Sequence, residues 1–213
     1  KPLQVDPIGL NAVGKKQLAA YFQVSADNPL AGFDGRLNLL HQLGHAITTH
    51  PKIFGQYEHR LGTIFDDLDS HAGNGKLPAR KILSTVLEGL GTIWPGRTNL
   101  GGTNLGDVWC HSALDATDVG HGLMPFHKLS QWLTYSLIEP LEEANVEVQH
   151  IEDLTGLAEY RNGGLFLDCG VIGLKDPAAA AVTHPVGSEL VVEWRALTVT
   201  LLDSLAEHIR KSL

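Results

Sequence analysis

Three separated segments of the chain gather the residues that could do chemistry. In Phe126-His-Lys-Leu-Ser-Gln131, a helix opens and places His127, Lys128 and Gln131 within one turn of each other. Glu159-Tyr160-Arg161 stands just before Gly163-Gly164, a pair that lets the backbone approach a ligand or another helix closely. Glu193 and Arg195 interrupt an otherwise apolar run, Leu190-Val-Val-Glu-Trp-Arg-Ala-Leu197, where a charge must be paired or face a cavity. The three segments can be read as one site. They can also be read as a buried ion-pair network of Lys128, Glu159, Arg161, Glu193 and Arg195. Asp107 and Asp168 are secondary candidates, each within two residues of a glycine in an expected loop.

Metal chemistry has weaker support. His41 and His45 share a helix face, but they supply only two of the three or four ligands zinc needs. Gln42 lies between them, so the glutamate base of the metalloprotease helix is absent. Cys110-His111 with His121 and His127 matches no known ligand spacing. No Gly-x-Ser-x-Gly elbow, Walker loop or dinucleotide fingerprint occurs. We therefore expect neither a metal nor a cofactor.

The elements that must position these residues are mostly helices. Leu37, Leu40, Leu43 and Ile47 follow the helical period, predicting a helix from Gly35 to about Thr49, and a second from Tyr57 to Leu68. Pro78 suits the first turn of a helix carrying Ile82, Leu83, Val86, Leu87 and Leu90. Between Trp94 and Trp109, the turn formers Asn99-Leu-Gly-Gly-Thr-Asn104 predict a short hairpin or structured loop. A long helix is expected from Phe126 to about Glu143, kinked or ended at Pro140. Residues 159–170 read either as a glycine-punctuated helix or as a turn and strand. Asp176–Val182 reads as an alanine-rich helix, and Ser188 caps a last helix to about Lys211. The fold class is mainly α, one domain over residues 1–213.

Composition narrows the partners. A net charge of −8 excludes a phosphate-backbone surface, so no nucleic acid is expected. No apolar run approaches the roughly 20 residues of a membrane span. Cys110 and Cys169 could pair, but two reduced thiols in a cytoplasmic protein are the expectation.

A resemblance sharpens this picture. Asn28-Pro-Leu, Gly35-Arg36, Leu105-Gly-Asp-Val-Trp109 and Pro125-Phe-His-Lys-Leu-Ser-Gln-Trp-Leu-Thr-Tyr-Ser-Leu137 resemble one family. Leu154-Thr-Gly-Leu157, Glu159-Tyr-Arg-Asn-Gly-Gly-Leu-Phe166 and Ser188-Glu-Leu-Val-Val-Glu-Trp-Arg-Ala-Leu-Thr-Val199 carry the same likeness. It is the Urc/Urg family of fungal and bacterial proteins, associated with uracil degradation through ring opening. Members are twice this length, so the resemblance implies a C-terminal half whose partner is the missing N-terminal half.

Queuosine-salvage nucleosidases, with a helical DNA-glycosylase-like fold, are similar more distantly. Their Phe-aromatic-Lys-x-x-Gln pattern resembles Phe126–Gln131, and their Ala-Asp-Tyr-Arg resembles Ala158–Arg161, with Glu159 standing where they have aspartate. Their Glu-x-Glu-x-Arg region resembles Val191–Arg195. Together the resemblances imply hydrolysis of an N-glycosidic bond in a small ribosylated urea or pyrimidine-derived ligand. On that implication Glu159 stabilises an oxocarbenium-like transition state and His127 is the general acid. Lys128 is an alternative, imine-forming nucleophile. Gln131, Tyr160, Arg161, Asp168, Glu193, Arg195 and Asp107 bind substrate. A non-catalytic ligand-binding or scaffold half is the competing reading.

Overall fold

The computed structural model describes residues 4–57, 59–96, 98–117, 120 and 122–213. Its helices, in chain order, are α1 (Pro7–Ala12), α2 (Lys15–Tyr21), α3 (Phe33–Thr49), α4 (Pro51–Phe54), α5 (Ile64–Ser70), α6 (Ala79–Leu90), α7 (Lys128–Glu143), α8 (Tyr160–Asp168) and α9 (Glu189–Ser212). The short strands among the described residues are β1 (Lys76–Pro78), β2 (Asn99–Leu100), β3 (Thr103–Asn104), β4 (Val108–Cys110), β5 (Leu123–Pro125) and β6 (Glu147–Gln149). The protein is mainly helical. No helix among the described residues is long and apolar enough to cross a membrane. The chain divides into two compact units, Lys1–Pro95 with Leu133–Ile151, and Gly96–Trp132 with Glu152–Leu213.

The first unit is built on apolar periodicity. α6 buries Ala79, Ile82, Thr85, Val86, Gly89 and Leu90, positions one helical turn apart, with Pro78 fixing the extended residue before its first turn. Gly89 allows close contact: a Cβ there would meet the Phe54 ring at 3.0 Å. α3 buries Leu37, Gly44, Ala46 and Ile47, and α5 buries Ile64 and Leu68. β1 and β6 pair in parallel, with Leu77 opposite Val148.

The second unit has a smaller apolar cluster: Phe126, Ala158 and Val192, with Trp109, Met124, Ala196 and Val199 against them. β2 and β3 form the expected hairpin, turned by Gly101 and Gly102. Both have positive φ (57° and 81°), as a two-residue turn of the primed kind requires. β4 and β5 pair antiparallel, Trp109 opposite Met124. α8 approaches α9 at Gly163, where an added Cβ would lie 2.7 Å from Trp194 and Thr198.

Several expectations are corrected. The strands extend beyond the hairpin, because β1, β4, β5 and β6 pair over sequence distances that local patterning cannot register. The predicted Tyr57–Leu68 helix is shorter: a 3-10 turn at Leu61–Thr63 precedes α5, and Gly55 takes φ 82° upstream. α7 starts at Lys128 rather than Phe126, and Pro140 lies inside it, at an exposed position. The Asp176–Val182 segment is a 3-10 helix, Pro177–Ala181, only one short run between a capping Asp176 and extended Val182. Ser188 takes the cap position of α9, but its hydroxyl makes no cap hydrogen bond; it is buried without a hydrogen-bond partner among the described residues.

Candidate functional site

The second unit concentrates its polar contacts on Asp107. This residue precedes β4, so its side chain shares a face with Trp109, two positions on. The Trp109 indole N–H donates to Oδ1 at 2.7 Å. Arg195 donates through Nη1 to Oδ1 at 2.8 Å and through Nη2 to Oδ2 at 2.7 Å, a two-pronged pair. The Lys128 backbone N–H reaches Oδ2 at 3.1 Å, placing the start of α7 against the same carboxylate. The pair is sheltered: its side chains are 16% (Arg195) and 29% (Asp107) exposed. The Arg195 guanidinium lies over the Phe126 ring, 4.1 Å from its centroid. Burial pushes the Asp107 carboxyl up. The Arg195 hydrogen bonds and charge, the Trp109 indole and the Lys128 amide outweigh it and hold the group below the ordinary carboxylate range.

The Asp107 carbonyl binds the opposite strand's exit. It accepts from the Phe126 N–H at 3.0 Å and the His127 N–H at 3.2 Å. His127 is thereby held at φ 45°, in the left-handed region, immediately before α7. Its carbonyl accepts the Gln131 N–H at 2.8 Å, closing the first turn. Burial lowers the His127 pKa, and the Asp107 charge partly opposes that. The shift favours the neutral ring, and with it proton acceptance over the donation expected of a general acid. Gln131 is 7% exposed, and its buried Oε1 has no hydrogen-bond partner among the described residues.

Glu159 is the N-cap of α8. Its Oε2 accepts the Arg161 N–H at 2.8 Å, and the side chain remains half-buried. Tyr160 is 64% exposed; its hydroxyl accepts from Arg161 Nε at 3.0 Å, and the guanidinium stacks over the same ring at 5.6 Å. Glu193 is exposed on α9 and its ion-pair partner among the described residues is the exposed Lys175, at 3.9 Å. Asp168 is exposed at the end of α8.

The five charges Lys128, Glu159, Arg161, Glu193 and Arg195 do not form one network. Arg195 is paired with Asp107, and no ion pair among the described residues joins the other four to one another. Their segments nevertheless converge: Phe126, Ala158 and Val192 pack in one cluster, and His127, Glu159 and Glu193 are the residues that follow each of them. Elsewhere, His41 Nε2 lies 3.0 Å from the Val13 carbonyl, a local contact in the first unit. No group of three or more His, Cys, Asp or Glu that could hold a metal occurs among the described residues. His121, part of the second metal candidate, lies outside them, as does Glu58.

The family profile described as "Protein of unknown function (DUF1688)" matches residues 1–213. This chain belongs to the DUF1688 family. It is 43% identical over 211 residues to Protein urg3 of Schizosaccharomyces pombe (strain 972 / ATCC 24843), covering 99% of the chain and 49% of that protein. It is 39% identical over 221 residues to Uracil catabolism protein 4 of Lachancea kluyveri, covering 90% of the chain and 49% of that protein. The chain thus spans about half the length of the curated relatives it matches. No solved structure matches it.

Two residues of the DUF1688 site escaped the sequence reading as individuals. Trp109 anchors Asp107, and Phe126 carries the Arg195 guanidinium. The Asp107-x-Trp109 spacing ahead of a strand was the available signal, because residues two apart in extended chain share a face. Nothing in the sequence announced the stacking of Arg195 on Phe126.

Proposed function

We propose that this DUF1688 chain carries the polar site of a uracil-catabolism hydrolase that breaks an N-glycosidic bond in a ribosylurea-like or nucleoside-like intermediate. The observation that carries the reading is the packing of Phe126, Ala158 and Val192 in one cluster, which joins the three segments that bear His127, Glu159 and Glu193. The name of one relative, Uracil catabolism protein 4, supports the uracil-catabolism part of it. A helical scaffold of the DNA-glycosylase-like kind belongs to the same proposal.

Cleavage of ribosylurea adds water across the C1′–N bond. Urea leaves with the bonding pair and gains a proton, while C1′ gains hydroxide from water. Positive charge grows on the sugar, and an anionic carboxylate beside it lowers the barrier. Glu159 fits that role, because the Arg161 N–H holds only Oε2. Asp107 does not, since both its oxygens are engaged. A neutral His127 suits the removal of a proton from the attacking water, and the adjacent Lys128 ammonium suits the departing nitrogen. Gln131, Tyr160, Arg161 and Glu193 remain for the ligand's polar groups, with Asp168 at the margin.

Urea release from ribosylurea by the full-length protein is the test. Turnover that disappears in Glu159→Gln supports the reading, and no release under any condition where the protein binds the compound overturns it. That second outcome would favour a binding or scaffold half, for which the observation is that the chain spans about half of each relative.

A further inference from the structure

We propose that Asp107 is a positioning residue for His127: its carbonyl and its carboxylate together lock the turn from β5 into α7, so that the imidazole is presented in one fixed orientation. The inference deepens the hydrolase reading and, for its consequence on turnover, rests on it.

The carboxylate is saturated. Two carboxylate oxygens offer about four acceptor directions. Trp109 Nε1, Arg195 Nη1, Arg195 Nη2 and the Lys128 N–H take four contacts between 2.7 and 3.1 Å. None is left to attack a sugar or to bind water as a base. Its pKa, held low, keeps it charged throughout the neutral range. Such a group acts through what it holds.

What it holds is one of six non-glycine residues with positive φ among the described residues. His127 has φ 45°, a conformation that non-glycine residues keep only when their surroundings over-determine it. The over-determination is visible on both sides. The N–H groups of Phe126 and His127 share the Asp107 carbonyl, and the next N–H, of Lys128, is taken by the Asp107 carboxylate. One residue therefore accepts three consecutive backbone donors, 126 to 128. Arg195 secures that residue in turn, gripped by its carboxylate and flattened on Phe126, which is itself buried in the cluster with Ala158 and Val192. The neighbouring segments carry Asp107 before β4, Lys128 on α7, Glu159 at the cap of α8 with Arg161 and Asp168 on that helix, and Glu189, Glu193 and Arg195 in the first two turns of α9. Of these, Asp107 is the one whose charge favours the imidazolium against burial.

The experiment uses the full-length protein with Asp107→Asn, which keeps the shape and removes the charge. The His127 ring signal is assigned by difference from His127→Gln, and titrated by NMR beside urea release from ribosylurea. Loss of the Asp107 charge should move the His127 titration to lower pH than in the wild type. The amides of His127 and Lys128 should exchange with solvent faster, and kcat should fall by about 10–100-fold, the range for losing a partner that orients a functional histidine, with KM little changed. A merely structural defect exposes the ring and moves its titration the other way, towards about 6.5, and that result overturns the proposal. An unchanged ring titration overturns it too. If titration and exchange change as stated while urea release is unaffected, the positioning stands and the catalytic part assigned to His127 falls. Should Asp107→Asn not fold, the wild type decides: the three amides 126–128 must exchange slowly, and exchange as fast as that of the exposed Thr117 amide would refute the lock.

Discussion

The two units handle charge in opposite ways. In the first, the most deeply buried large side chains are Ile47, Phe54, Leu68, Leu77, Ile82 and Val86, and the ion pairs Lys15–Asp34 and Lys76–Glu147 stand in solvent. In the second, the apolar cluster is small and an ion pair, Asp107–Arg195, is sheltered beside it. The resolved pKa shifts that involve burial as the first cause, at Asp107 and His127, are both in the second unit. Exposed pairs are worth little and fix nothing, whereas a sheltered pair with every hydrogen bond made fixes geometry at a cost in desolvation. The function proposed above places its chemistry in the second unit.

Four measurements test that contrast. The largest effect on stability should come from the apolar unit. Phe54→Ala empties a fully buried site packed against Gly89 and should lower the unfolding free energy by about 3–5 kcal/mol in chemical denaturation. Turnover should change little in protein that remains folded. A comparable loss of urea release would show that the units are not separable in function.

Glu159→Gln should do the reverse. Glutamine keeps an oxygen for the Arg161 N–H, so the cap survives and the melting temperature stays near that of the wild type. Removing the charge should reduce urea release by about 10²–10³. Lowered melting with intact turnover would transfer Glu159 from chemistry to architecture.

Asp107→Ala falls between. It strands a sheltered guanidinium and removes an anchor of α7, with an expected cost of about 2–3 kcal/mol, discounted from the fully buried case because both side chains retain some solvent contact. The pair also sets an acid dependence. The folded Asp107 pKa is lowered, so its contribution is complete above the ordinary carboxylate value of about 3.9 and is lost only as pH falls through the lower folded value.

The smallest effect belongs to His127. Its folded pKa is lowered, so the native state favours the neutral ring. The stability tied to it is complete above about 6.5 and declines as pH drops through the folded value. Wild-type melting temperature should therefore fall more steeply between pH 6.5 and 5 than that of His127→Gln. Parallel curves would mean that the imidazole is not held as described.

Much of the helical frame was legible without coordinates. The 3.6-residue periodicity of α3 and α6 and the glycine pair between β2 and β3 are local signals, and local signals survive in sequence. The three polar segments were also visible, because charge within an apolar run must be compensated wherever it falls. What compensates it was not visible. Arg195 lies two residues from Glu193 and might equally have answered any carboxylate in the chain, yet its partner is Asp107, 88 positions away.

By itself, then, the sequence determined a mainly helical protein, the location of its polar segments and its membership in a family, since these follow from periodicity, composition and likeness along the chain. Tertiary structure alone decided that the Asp107 carboxylate is saturated and that Glu159 caps α8. It also placed His127 in a left-handed conformation and α7's start at Lys128, because both depend on hydrogen bonds to a strand twenty residues upstream. The physical reason is range: helical patterning is a property of neighbours, whereas the occupancy of a carboxylate's lone pairs depends on donors that only folding brings within 3 Å.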